Sequence, residues 1–316
     1  MKKILITGCA GFVGSTMLDF LLKKNFLVTG IDNLSTGKFS FLKESMKNKN
    51  FSFIKADLLS AKNLSSYFSN IDIVFHFSAN ADVRYGATDV TKDLKQNVIV
   101  TSNILECMKK KNVKKIIFSS TGSVYGEASQ FPTPENSFFP IQTSFYGASK
   151  ISCESLISAY CESFNFQSWI FRFVSLLGPR YTHGHVIDFY KKIKSKKKFI
   201  NVLGNGYQKK SYLHINDCIE GIYKSINFFK KRVNIINLGN SEYITVRESL
   251  KKIKQLMYCK KKEYFQNTKK GWVGDNPFIF LDIKKISKTG WKPKIKILDG
   301  ITDTVNFLNY NQWILK

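Results

Sequence analysis

The chain opens with a short apolar strand that runs straight into glycine. Lys3–Thr7 is followed by Gly8-Cys9-Ala10-Gly11-Phe12-Val13-Gly14 and then by an amphipathic stretch, Ser15–Lys24. A strand, a glycine turn and a helix in that order admit few folds. The glycines let the backbone turn tightly and approach a pyrophosphate, whose charge rests on the helix N-terminus. Asp32 closes the next apolar run, Leu27–Ile31. A carboxylate there accepts hydrogen bonds from an adenosine ribose and repels a 2′-phosphate, which favours NAD over NADP. The spacing is G-x-x-G-x-x-G rather than G-x-G-x-x-G, which points to one branch of the dinucleotide folds.

The alternation continues. Ser52–Ile54, Ile71–Phe77, Lys115–Ser119 and Trp169–Val174 read as strands, and Ala61–Phe68, Asp93–Lys111 and Phe145–Phe164 as helices. Apolar runs bounded by turn residues and separated by helical patterns indicate parallel strands buried on both faces, hence an α/β doubly wound sheet. After Gly178-Pro179 the pattern loosens into shorter, glycine-punctuated elements, as a smaller C-terminal lobe requires. Val233–Leu238 again reads as a buried strand. The expected division is residues 1–174 for the cofactor-binding domain, with 213–240 returning to it, and 175–212 with 241–316 for the substrate-binding lobe.

Charge is the compositional anomaly. The 316 residues carry 49 basic and 23 acidic side chains, a net charge of +26. Such a surplus suits a polyphosphate partner. The lysines are scattered in small clusters on what would be solvent faces of helices, with no base-stacking signature, so no nucleic-acid partner is expected. A positive field does help to collect small anions. The six cysteines form no C-x-x-C pair and read as reduced, buried thiols. His183-x-His185 with Asp188 is too common a grouping to indicate a metal, and none is expected. No apolar run is long enough to span a membrane, and the N-terminal run is too short for a signal peptide, so the reading is a cytoplasmic protein.

Tyr146-Gly-Ala-Ser-Lys150 is the second chemical signal. With 14 tyrosines and this lysine content, about two Tyr-x-x-x-Lys pairs arise by chance, and Tyr190–Lys194 and Tyr258–Lys262 read as such accidents. Tyr146 differs by position. It opens the helix after the strand ending Ser119-Ser120-Thr121, so its ring can meet Thr121 at the sheet's carboxyl edge. Lys150, four residues on, shares the helix face. An ammonium there stabilises tyrosinate and lowers the phenol pKa, as a general base requires.

With these residues in view, the chain resembles the extended short-chain dehydrogenase/reductases, in particular the NAD-dependent nucleotide-sugar epimerases and dehydratases of the UDP-glucose 4-epimerase type. The likeness runs from Lys3 to about Leu308. Its landmarks are Thr7–Gly14, Asp32-Asn-Leu-Ser-Thr-Gly37, Asp57-Leu58, His76-Phe-Ser-Ala79, Asn97-Val98, Ser119–Gly126, Tyr146-x-x-x-Lys150, Gly178-Pro179-Arg180, Ser211–Asp217 and Gly271–Asp275. The resemblance implies a Rossmann sheet, NAD as cofactor, a nucleoside-diphosphate sugar as substrate and a homodimer formed through Asp93–Lys111 and Phe145–Phe164. It implies that Thr121 orients the sugar hydroxyl, Tyr146 takes its proton, and Lys150 holds the nicotinamide ribose. Gly8, Gly11, Phe12, Val13, Gly14, Asp32, Asn33, Asp57, Leu58, Phe77, Ser78, Ala79 and Asn97 would contact NAD. Arg84, Ser123, Ser175, Arg180, Lys210 and Asp275 would contact substrate, with His183 and His185 beside the pocket. Two of these depart from the family: lysine at 210 replaces arginine, losing the bidentate fork, and serine at 175 replaces asparagine.

The reaction is read from what is missing. Family dehydratases place an Asp-Glu pair directly after the threonine, where this chain has Gly122 and Ser123. Neither can protonate a leaving hydroxyl or remove a C5 proton. Hydride chemistry at C4 remains, either 4-epimerisation through a 4-keto sugar or a dehydrogenase that releases the keto sugar. A sensor that keeps the fold without turnover is the non-enzymatic alternative, and such proteins usually lose the Tyr–Lys pair that is retained here.

Overall fold

A computed structural model describes residues 2–315, apart from 81–87, 138–140, 272–275 and 277. The expected alternation is present: β1 Lys3–Thr7, α1 Phe12–Lys23, β2 Leu27–Asp32, β3 Phe51–Lys55, β4 Ile73–His76, α2 Val90–Asp93, α3 Val100–Lys110, β5 Lys115–Thr121, α4 Phe145–Phe164 and β6 Gln167–Phe173. Then follow β7 Ser175–Leu177, α5 His185–Lys194, β8 Phe199–Val202, β9 Lys209–Lys210, β10 Tyr212–His214, α6 Ile215–Phe228 and β11 Val233–Leu238. The chain ends with β12 Ile244–Thr245, α7 Val246–Leu256, β13 Lys262–Phe265, α8 Lys284–Ser287 and α9 Ile297–Tyr310.

Seven strands form one parallel sheet in the order β11-β6-β5-β4-β1-β2-β3. Val233–Leu238 pairs in register with Ser168–Phe173, so the chain does return to the sheet after visiting the second lobe. Both faces are covered. Ile4 and Ile6 belong to a core shared with α1, α6 and the C-terminal lobe, whereas Leu5 belongs to the core under α3 and α4. That is why Ile116, Ile117 and Phe118 of β5 are all fully buried and show no polar alternation. The order reverses between β1 and β4, and ligands of such sheets lie beyond the strand carboxyl ends at that point. The C-terminal lobe is built from three two-stranded pairs, β10–β7, β12–β9 and β13–β8, with α5, α7 and α9.

Two expected helices differ. Ala61–Phe68 contains only a short 3-10 turn at Leu64–Phe68, entered through Asn63 at φ 57°. The Ser66 hydroxyl donates to the Asn63 carbonyl, offering the backbone a turn in place of a helix. The helix expected from Asp93 begins at Val90, under an Asp89 cap, and passes through a π-helical segment at Leu94–Ile99 before α3.

The sheet is braced by one buried ion pair. Arg172 of β6 donates from Nη2 to Glu154 of α4 at 2.7 Å and from Nε at 3.1 Å, while Ser120 of β5 donates to the same carboxylate at 2.5 Å. Both charged side chains are buried, and the guanidinium also lies 4.7 Å from the Tyr125 ring centre. Removing one partner of such a pair leaves a charge uncompensated, at a cost of about 3–5 kcal/mol. Arg172→Met is therefore expected to lower the denaturant midpoint by that order in free energy. A loss below about 1 kcal/mol would show the pair to be dispensable.

Candidate functional site

The first half of the site grows from the β1 carboxyl end. Gly8 has φ +70°, and a Cβ on it would lie 2.7 Å from the Ser78 backbone nitrogen. A Cβ on Gly14 would lie 2.0 Å from the Gly8 carbonyl oxygen, so glycine alone lets α1 approach β1 this closely. Helix α1 is capped by Gly11 with no side-chain hydrogen bond and no acid in its first turn. It presents its positive end to the cleft, as an anion requires. The Phe12 side chain packs edge-on against Tyr181, 5.9 Å away, so that residue offers the cleft its backbone only.

Asp32 sits at the end of β2 with one carboxylate oxygen accepting from Ala10 N at 2.9 Å and the other from Leu34 N at 2.8 Å. Burial pushes its pKa up, while these two backbone donors oppose the rise. A Cβ on Gly37 would press on this carboxylate at 2.8 Å. Asn33 donates to Asp57 at 3.2 Å, and Asp57 in turn accepts from Leu59 N. Gly8, Gly11, Asp32, Asn33, Asp57, Leu58, Phe77, Ser78 and Ala79 line one cleft. Ser35, Thr36, Gly37, Ala56, Gln96 and Val100 line it too and were given no role from sequence, although 35–37 lie inside a motif already noted. A glycine-lined turn, an uncapped helix end and an acid across from it match the donor and acceptor groups of a dinucleotide. Among the described residues no cluster of His, Cys, Asp or Glu could hold a metal.

The second half lies at the β5 edge. The Thr121 hydroxyl accepts from Ser123 N at 3.1 Å and donates to Ser123 Oγ at 3.2 Å. Ser144 caps α4 by accepting from Gly147 N at 3.0 Å, which places Tyr146 in the first turn. One turn on, Lys150 is 2 % exposed, donates to the Ser119 carbonyl at 2.9 Å and lies 4.7 Å from the Phe118 ring centre. The expected lowering of the phenol pKa by Lys150 is not what holds here. Burial pushes Tyr146 well up, the charge of Asp93 adds to the rise, and the bond to Thr121 opposes it. Burial lowers Lys150 to about 8, against the opposing charges of Cys153, Glu154 and Asp93. Gly122 is packed in: a Cβ there would lie 2.6 Å from Ile279.

Other candidates are placed differently. Asn97 spends its amide on the scaffold: its carbonyl accepts from Asn80 N at 2.8 Å, and its NH₂ donates to Ser149 at 2.8 Å and to Asp93 at 3.3 Å. Arg180 is turned to α1, pairing with Asp19 at 2.6 Å over the Phe41 ring. Lys210 donates to the Asn276 carbonyl at 2.9 Å, and Ser175 is exposed at the start of β7, in register with Tyr212. His183 stacks on Tyr181. His185 uses both nitrogens, Nδ1 with the Tyr212 hydroxyl and Nε2 with Ser249, each at 2.6 Å. Burial, aided by the charge of Lys210, lowers it to about 3, so it is a neutral imidazole rather than an acid. Arg84 and Asp275 lie outside the described residues.

The profile of the NAD dependent epimerase/dehydratase family matches residues 4–239. The UDP-glucuronate 4-epimerase of Thermodesulfobacterium geofontis is 30% identical over 325 residues, covering 100% of this chain and 99% of its own. The structure of UDP-glucuronic acid 4-epimerase from Bacillus cereus in complex with UDP-glucuronic acid and NAD superimposes with a TM-score of 0.88 at 29% identity, covering 98% of this chain and 99% of its own. UDP-glucose 4-epimerase of Thermotoga maritima with UDP-glucose gives a TM-score of 0.87 at 28% identity, with the same coverage.

Proposed function

Because this chain belongs to the NAD dependent epimerase/dehydratase family, we propose that it is an NAD-dependent enzyme that inverts C4 of a UDP sugar through a 4-keto intermediate. The observation that carries the reading is the packing of the first turns of α4 on the carboxyl end of β5, where Lys150 donates to the Ser119 carbonyl near Thr121 and Tyr146 opens the helix, with Gly122 and Ser123 following Thr121. NAD, held by the Gly8–Gly14 turn and Asp32, supplies a hydride acceptor and donor and a positive ring charge. Thr121 orients the C4 hydroxyl, and Tyr146 takes its proton and later returns it. Lys150, as an ammonium, holds the ribose. Ser123 is held by Thr121 and Gly122 is packed against Ile279, so positions 122 and 123 supply no acid–base pair to expel a C6 hydroxyl. Lys210 and Ser175 are suited to the diphosphate side, and the UDP moiety is inferred from the 4-epimerases this chain resembles.

The homodimer belongs to the same proposal. Leu94 and Ile99 on the π-helical segment and Phe145 on α4 are exposed, at 52%, 43% and 53%. Apolar side chains left on two long helices support their pairing with a second copy.

With UDP-glucose and UDP-glucuronate as trial substrates, NMR should report C4 epimers and mass spectrometry no loss of water. Tyr146→Phe should lower kcat by on the order of 10²–10⁴; retained activity would assign the proton to another group. Lys150 is cationic below its lowered pKa and neutral above it, so kcat should fall as pH rises through about 8. A rate constant to well above that value would remove Lys150 from the mechanism. Light scattering should give twice the 36.3 kDa chain mass, and a monomer would end the dimer proposal alone.

A further inference from the structure

Asp93 was read from sequence only as the start of a helix, yet it is 1% exposed and stands behind the catalytic pair. One carboxylate oxygen accepts from the Asn80 amide at 2.8 Å and from the Asn97 amide at 3.3 Å. The other, Oδ2, is buried with no hydrogen-bond partner among the described residues. Asn97 continues the chain of contacts to Ser149, whose hydroxyl donates to the Tyr146 carbonyl at 2.8 Å in the first turn of α4. The π-helical segment Leu94–Ile99 begins immediately after Asp93. Such a segment re-aims the side chains it carries, and here it carries Asn97. A buried carboxylate with a spare oxygen is costly unless a positive charge lies near.

We propose that Asp93 is a positioning residue of the Tyr146–Lys150 pair. One oxygen fixes α4 through Asn97 and Ser149, and its charge keeps the buried Lys150 side chain an ammonium. This rests on the reading of Tyr146 and Lys150 as the proton-handling pair. The surroundings leave few other sources of charge. Lys150 meets Cys153 and Glu154 of its own helix, the Ser119 carbonyl and Phe118 ring of β5, and His76 of β4, which burial keeps neutral. Glu154 is already paired with Arg172. The charge of Asp93 bears on Tyr146, and those of Lys92 and Lys150 bear on Asp93. Removing a negative charge favours the deprotonated form of any neighbour. Asp93→Asn should therefore move the titrations of Tyr146 and Lys150 in the same direction, toward acid.

The test needs no substrate. In protein with ¹³C-labelled lysine ε-carbons, the Lys150 resonance is identified by its absence in Lys150→Arg. Its titration midpoint should fall by on the order of one pH unit in Asp93→Asn and stay at the wild-type value in Asp93→Glu. An unmoved midpoint in the Asn variant, or equal shifts in both variants, would overturn the proposal. Should the Asn variant not fold, the wild-type Asp93 carboxyl resonance decides: it should report the Lys150 midpoint, and its failure to do so refutes the coupling. With UDP-glucose turnover as a separate readout, both limbs of the pH profile should shift together in Asp93→Asn. Absence of turnover would count against the epimerase reading and leave the Lys150 titration to judge Asp93.

Discussion

One carboxylate holds the reactive edge of this protein together. Glu154 accepts from Ser120 on β5 and from Arg172 on β6 while riding on α4. Thr121 follows Ser120 directly, and Lys150 stands one helical turn before Glu154. The separation of Thr121 from the first turns of α4 is thus set by a buried ion pair and not by loops. Burial makes the pair expensive to break, and this cost turns a strand end and a helix start into a rigid constellation. Tyr125 and Asn237 extend it toward the second lobe, the phenol donating at 2.8 Å to an amide that also binds the Thr133 and Asp282 carbonyls.

Most of the sheet and half of the site were legible because backbone demands select residue types. A Cβ on Gly14 would strike the Gly8 carbonyl, so the glycine turn announces itself. Strands buried on both faces announce themselves as unbroken apolar runs. Side-chain destinations were less legible. Arg180 follows a glycine-proline turn that suggests a pocket, yet its guanidinium finds Asp19, far along the sequence. Asn97 was placed near the cofactor, but the π-helical segment turns its amide into the scaffold. Asp93 was invisible as a functional residue because its meaning lies in burial beside Tyr146 and Lys150, which periodicity does not encode. The Ala61–Phe68 helix failed because Asn63 takes a left-handed backbone and the Ser66 hydroxyl bonds its carbonyl.

The lysine excess also takes a different form in three dimensions. Several lysines donate to main-chain carbonyls that would otherwise lack partners. Lys114 reaches the Phe164 carbonyl at the end of α4, Lys230 the Ile226 carbonyl near the end of α6, and Lys261 those of Ile193 and Ser195 around the end of α5. Cations at helix carboxyl termini complement the macrodipole. Part of the lysine charge is therefore architectural.

The contact between Gly122 and Ile279 bears on how such an active site can change its chemistry. The two residues are far apart in the chain, and a Cβ on the glycine would lie 2.6 Å from the isoleucine side chain. Introducing an acid at 122 would be opposed by sterics before its proton chemistry could matter. A smaller residue at 279 alone would leave a void and no gain. A side chain at 122 would also meet the Phe173 carbonyl oxygen at 3.2 Å, so exchanging the isoleucine relieves only part of the conflict, and the strand end itself resists an acid at this position.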